Sequence, residues 1–107
     1  MFTRVVELTS KPGKSKVLAS TINEKVLPIL KKQRGFLDEA VFVSDTKADQ
    51  VLGLSFWNTK EDAEQYRQEQ FPKIHESVKH LLDAEPTVRT FEVHTSTIHR
   101  IAAGKAA

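Results

Sequence analysis

FLDEAVFVSDTKADQVLGLSFW, residues 36–57, reads as a β-hairpin, and the fold turns on how that hairpin is covered. From Phe36 to Asp45 the residues alternate as in a strand, with Phe36, Ala40 and Phe42 on one face and Leu37, Val41 and Val43 on the other. Thr46-Lys47-Ala48-Asp49 is a short connection, so the strand that follows runs antiparallel. That strand, Gln50 to Trp57, sets Leu52, Leu54 and Phe56 against Val51, Gly53, Ser55 and Trp57. A glycine at position 53, in mid-strand, marks a bulge or a close approach to the backbone.

Outward from the hairpin the period changes twice. Phe2 to Thr9 is a further strand, with Phe2, Val6 and Leu8 at period two, and Ser10-Lys11-Pro12-Gly13 turns the chain. Val17 or Leu18, Ile22, Val26, Ile29 and Leu30 then fall at helical spacing. Pro28 sits late in that helix and is expected to kink it or loosen its last turn. Lys31, Lys32 and Arg34 complement the negative end of the helix dipole, and Gly35 stops it. After the hairpin, Asn58-Thr59-Lys60-Glu61 is a capping box with its cap expected at Asn58. The second helix buries Ala63 and Tyr66, bends at Pro72 and continues through Ile74, Val78 and Leu81 or Leu82. Thr87 to about Ser96 is the last strand, with Glu92 and His94 on one face.

The order β-α-β-β-α-β is the split βαβ arrangement of ferredoxin-like folds. The expectation is one α+β domain over residues 1–97, a four-stranded antiparallel sheet with two helices on one face, and a C-terminal tail over 98–107. The all-apolar set Leu52, Leu54 and Phe56 is expected to face the helices. The other face then carries Phe36, Ala40, Phe42, Val51 and Trp57. Burying such a side chain is worth about 1.5–3 kcal/mol. Five left wet would forgo on the order of 10 kcal/mol, as much as a domain's net stability. A second copy of the chain is the cheapest cover, so a homodimer is expected.

Composition excludes more than it identifies. The chain has 107 residues, 39% hydrophobic and 28% charged, which suits one soluble domain. A net charge of +2 argues for neither nucleic acid nor an anionic membrane. The absence of cysteine removes disulfides, thiolate nucleophiles and thiolate metal sites. No apolar run approaches the ~20 residues of a membrane span. Met1-Phe2-Thr3-Arg4 does not open a signal peptide, so a cytoplasmic location is the default expectation. The aromatic stripe by which the same topology reads RNA is missing from the central strands. His75 and His80 are five apart on a helix, which is the wrong spacing for two metal ligands, and His94 and His99 would fall on opposite faces of a strand.

Gly35-Phe36, the hairpin, and then Ser55-Phe56-Trp57-Asn58-Thr59-Lys60-Glu61-Asp62-Ala63 with Tyr66 together resemble the antibiotic biosynthesis monooxygenase superfamily. Val26-Leu27-Pro28 ahead of Gly35 is similar to members of the same group. The resemblance implies a dimeric α/β barrel of ferredoxin-like subunits, each with a cavity between sheet and helices for a small apolar or aromatic ligand. It implies cofactor-free oxygenation of a phenolic or quinol-like substrate, or a carrier or stress protein of the same fold, or oxidative haem degradation. For haem, His75 would be the axial ligand and Tyr66 stands where the haem degraders carry Trp; their first-strand asparagine is replaced by Val5-Val6. For cofactor-free oxygenation a base and an oxyanion donor are needed in an apolar pocket. His75 or His94 is the expected base; Tyr66, Trp57 or Asn58 is the expected donor; and Phe42 and Phe71 are further expected substrate contacts. Each has a plainer role open to it: Tyr66 and Trp57 as packing aromatics, His75 as a solvated helix residue between Ile74 and Glu76, and His94 as a polar partner of Glu92 at the sheet seam.

Overall fold

In the computed structural model of the chain, which describes residues 1–97, four strands form one antiparallel sheet. They are β1 (Phe2–Thr9), β2 (Phe36–Val43), β3 (Gln50–Trp57) and β4 (Thr87–Glu92), in the order β2-β3-β1-β4. The tail expected over 98–107, with His99, lies outside the described residues. Between β1 and β2 run α1 (Ser15–Thr21), a π-helical turn over Ile22–Val26 and α2 (Leu27–Leu30). Between β3 and β4 run α3 (Lys60–Glu69), α4 (Phe71–Val78) and a 3-10 turn over Lys79–Leu81. This is the ferredoxin-like α+β fold, with its helices over one face of the sheet.

Proline chemistry explains both helix breaks. Pro28 has no N–H to return to the carbonyl of Glu24, and its ring crowds that carbonyl. The turn ahead of it widens instead, and the N–H of Leu27 donates to the carbonyl of Ile22, five residues back. Pro72 stands in the first turn of α4, where its missing donor costs nothing. α3 begins one residue later than the sequence suggested. Thr59, in extended conformation, is the N-cap, and its Oγ1 accepts from the Asp62 N–H at 3.1 Å. β4 stops at Glu92, so His94 lies beyond the strand.

The pairing of β3 reverses the expected faces. Val51, Ser55 and Trp57 are buried under the helices with Gly53 on the same side, whereas Leu52, Leu54 and Phe56 look outward. β2 carries a bulge between Phe36 and Asp38. The extra residue brings Phe36 to the helix side, opposite Trp57, while Ala40 and Phe42 point outward beside Leu54 and Leu52. The expected bulge at Gly53 is absent; β3 runs in unbroken register there against both neighbours. The outward face therefore holds Ala40, Phe42, Leu52, Leu54, Phe56 and Phe91, with Phe42 52% and Phe91 49% exposed. The sheet is apolar on both sides, as the sequence required, although the residues on each side have changed.

The helix-side core joins Leu18, Ile22, Val26 and Leu30 to Val51, Trp57, Tyr66, Ile74, Val78 and Leu82. Gly35 sits at φ +77, and a β-carbon there would run into the side chain of Asp62. Its carbonyl also accepts from the Asn58 N–H at 2.8 Å, tying the start of β2 to the end of β3. Gly35→Ala is therefore expected to cost roughly 2 kcal/mol or more, from the left-handed backbone together with the clash. Urea unfolding with an unchanged m-value and a lower midpoint is the measurement.

Candidate functional site

One row of side chains crosses the sheet beneath the helices and defines the site. Register places Arg4 on β1 beside Ser55 on β3, and Ser55 beside Glu39 on β2. The next row is Val6, Gly53 and Val41. Glycine and serine in the middle of these rows leave space, and nothing lies within 4 Å of where a β-carbon on Gly53 would be. The helices roof that space with Ile22, Val26 and Leu30 on one side and Tyr66, Phe71, Ile74, His75 and Val78 on the other. Ile22 and Val26 are the ends of the π turn, so the widened helix forms part of the wall. The cavity measures about 70 Å³ to the centre of a water molecule, inside about 570 Å³ of non-atom space that includes its mouth.

Polar groups at and just behind this apolar shell are few, and three of them, Glu39, Tyr66 and Arg4, are perturbed. Glu39 is half-buried, and desolvation raises its carboxyl pKa, with Lys31 pulling the other way. The Tyr66 hydroxyl is pushed up to about 12 by burial, while Arg4 lowers it and Glu39 raises it. Arg4 is 1% exposed, and among the described residues none of its three guanidinium nitrogens has a hydrogen-bond partner. Its guanidinium carbon lies 5.5 Å from the centre of the Tyr66 ring and 5.0 Å from that of Phe71. Burial drags the guanidinium below its ordinary pKa, which the Tyr66 and Glu64 charges oppose and Arg67 reinforces. A cation so placed costs several kcal/mol to desolvate, and each ring returns about 2 kcal/mol.

The structure gathers some of the expected site residues and disperses others. Tyr66, Phe71 and His75 line the cavity. His75 stands towards the surface, its Nε2 3.7 Å from a carboxylate oxygen of Glu85. Trp57 is wholly buried behind the site: its ring packs 5.0 Å from Tyr66 and 5.6 Å from Phe36, and its indole N–H donates to Ser55 Oγ at 2.9 Å. Phe42 is on the outward face, and Asn58 and His94 are exposed away from the cavity. Arg4 and Glu39 were not anticipated. The available signal was a charge at period two inside an apolar alternation, Arg4 with Val6 and Leu8, and Glu39 with Val41 and Val43. Among the described residues no group of three His, Asp or Glu side chains is placed to hold a metal ion, and no helix is long and apolar enough to cross a membrane.

A largely apolar cavity between a four-stranded sheet and its helices, with Tyr66 and Phe71 in its wall, is the candidate site of this α+β fold. The chain belongs to the antibiotic biosynthesis monooxygenase family, whose model matches residues 1–76. Among solved structures it is similar to the Streptomyces coelicolor monooxygenase ActVA-Orf6 in complex with nanaomycin D. That pair has a TM-score of 0.76 and 16% identity over 89% of this chain and 88% of the other. It is also similar to SnoaB, a cofactor-independent oxygenase of Streptomyces nogalater, with TM-score 0.73 and 13% identity over 90% of this chain and 95% of that one. A Bordetella bronchiseptica protein described as an antibiotic biosynthesis monooxygenase gives 0.76 at 16% identity, over 86% and 95% of the two chains. Among curated proteins no sequence match is found. Haem does not fit the site in this form: a tetrapyrrole is several times larger than the enclosed space, and the Nε2 of His75 faces Glu85.

Tyr66 is the single tyrosine of the chain, so its ionisation can be read directly from phenolate absorbance. Its folded pKa of about 12 stands above the ordinary 10.0, so the neutral phenol's contribution to stability is whole below pH 10 and lost as pH rises through 12. The expected loss is roughly 2–3 kcal/mol across that window. Tyr66→Phe should flatten this alkaline limb, as followed by Trp57 fluorescence in urea melts at increasing pH.

Proposed function

We propose that this chain is a cofactor-independent monooxygenase acting on a small hydroxyarene or quinol held in the cavity. The observation that carries the reading is Glu39, a partly desolvated carboxylate in a largely apolar wall. A cavity that merely stores an apolar ligand has no use for a base, and burying one costs stability. The raised pKa brings Glu39 nearer to that of a phenolic proton, which is what general-base catalysis needs. Tyr66, kept protonated by its own high pKa, is a hydrogen-bond donor for the oxygen that becomes negative.

The chemistry then belongs to the substrate. Glu39 takes the proton, and the resulting anion gives an electron to O2. The radical pair joins to form a C–O bond, and the hydroperoxide loses water to leave a carbonyl. One oxygen atom ends in the product and the other in water, and both reducing electrons come from the substrate's own C–H and O–H bonds. An apolar void of about 150 Å³ is known to hold benzene, so at about 70 Å³ a ring enters only as the walls give way. The π turn, already off the regular helix, is the wall best able to do so. His75 stands at the mouth, beside Glu85.

The acting unit is a homodimer built on the outward sheet face, where six apolar side chains lie together. Sedimentation at micromolar concentration should give twice the chain mass. Phe42→Asp combined with Phe91→Asp should give a single copy, and a native monomer in the unaltered chain would refute the assembly. For the reaction, an oxygen electrode with quinols and anthrones is the assay. Glu39→Gln should lower turnover by about 10²–10⁴-fold with little change in ligand affinity. Undiminished turnover would remove Glu39 as the base.

A further inference from the structure

Among the described residues Arg4 has no ion-pair or hydrogen-bond partner for its guanidinium, whose three nitrogens are buried. The Glu64 charge that reaches it is already engaged, since Glu64 accepts from Arg67 at 3.0 Å. Glu39 is in the same row but two strands away across Ser55, about 10 Å at ordinary strand spacing. Against this stand the favourable contacts: Tyr66 and Phe71 lie against the guanidinium, and both rings also line the cavity. A positive charge is thus held one aromatic layer from the void, and a proton acceptor stands at the other end of the same row.

We propose that Arg4 is the counter-ion for an anionic oxygen of the ligand, so that the cavity selects phenolates and enolates over neutral rings of the same shape. This rests on the reading of the cavity as the substrate site and names what that site recognises. When a hydroxyarene lies over Ser55, proton transfer to Glu39 leaves the net charge of the cavity unchanged. The carboxylate becomes neutral as the phenol oxygen becomes negative, and the negative charge has moved from the Glu39 end of the row towards Arg4. The Tyr66 hydroxyl donates to the same oxygen. A guanidinium this near, in a medium of intermediate dielectric, favours the anion by about tenfold or more.

The test uses 4-nitrophenol, which O2 does not consume and whose ionisation is visible in its own absorbance, with nitrobenzene as the neutral isostere. The unaltered chain should bind nitrophenolate at least about tenfold more tightly than nitrobenzene, and bound nitrophenol should ionise at least about one pH unit lower than free. In Arg4→Met the cation is lost while the Glu39 carboxylate and the apolar walls remain, so the order reverses: nitrobenzene binds better and bound nitrophenol ionises higher than free. Arg4→Lys, which keeps the charge without the fork, should restore part of the preference. Circular dichroism and Trp57 fluorescence report whether each variant folds; if Arg4→Met does not, the comparison of the two ligands on the unaltered chain decides. Equal affinity for nitrophenolate and nitrobenzene, no binding of nitrophenolate, or a raised ionisation in the unaltered chain would each overturn the proposal and leave Arg4 a packing residue. A chain that prefers nitrophenolate yet consumes no oxygen with any hydroxyarene would refute the oxygenase reading while supporting this one.

Discussion

The pairing of β3 between β1 and β2 is the constraint on which the subunit depends. A strand has two faces and a period of two, so one choice of register sends Val51, Gly53, Ser55 and Trp57 to the helices and Leu52, Leu54 and Phe56 away from them. The opposite choice would place three large apolar side chains under the helices and fill the space between the layers. The observed one puts two of the smallest residues there, with Trp57 at one end and Val51 at the other as pillars. The cavity is therefore a property of the strand rather than of a missing element. Trp57 also carries the stack on which Tyr66 rests, so the aromatic roof and the strand below are one packed unit.

Charge placement follows from the same register. Arg4, Ser55 and Glu39 lie in one row because each sits opposite the next. Two ionisable groups of opposite sign in an apolar interior would ordinarily close on one another and satisfy their own needs. Here Ser55 holds them a strand apart on either side, and its hydroxyl accepts from the indole of Trp57. The separation is what leaves both groups available. Arg4 turns to the rings of Tyr66 and Phe71, and Glu39 stays half-buried without quenching the cation. An interior arranged this way closes no ion pair between its two charges, and the cation is held by aromatic rings instead.

The fold was legible in the sequence and the site only partly so, for physical reasons that can be named. Element order came from periodicity and from turn chemistry at Pro12-Gly13, Gly35 and Pro72, and local signals of that kind survive tertiary context. The loosened turn at Pro28 was equally local. Which face of β3 lies inward was not local: hydrophobicity alone favours Leu52, Leu54 and Phe56 as the core, and only pairing with both neighbours shows otherwise. Phe36 was misplaced for a similar reason, since an extra residue at the β2 bulge resets the alternation. Tyr66 lies on the helix face that the 3.6 period predicts to be buried, whereas Phe71 and His75 were expected at the site only through the family resemblance. Arg4 and Glu39 escaped notice because a charge in a strand is ordinarily on the wet side, and here the wet side is the apolar one.

The reversal of faces also explains why a small protein tolerates an internal void. Filling the space above Gly53 would add apolar contact and reduce the entropy cost of a mid-strand glycine, so stability by itself favours a larger residue at that position. The subunit keeps the void and places a row of apolar side chains on the opposite side, at Ala40, Phe42, Leu52, Leu54, Phe56 and Phe91. In the proposed homodimer, burial of that surface would supply stability that the hollow core forgoes. The sheet carries its bulk on its outer face and leaves space under the helices on its inner one.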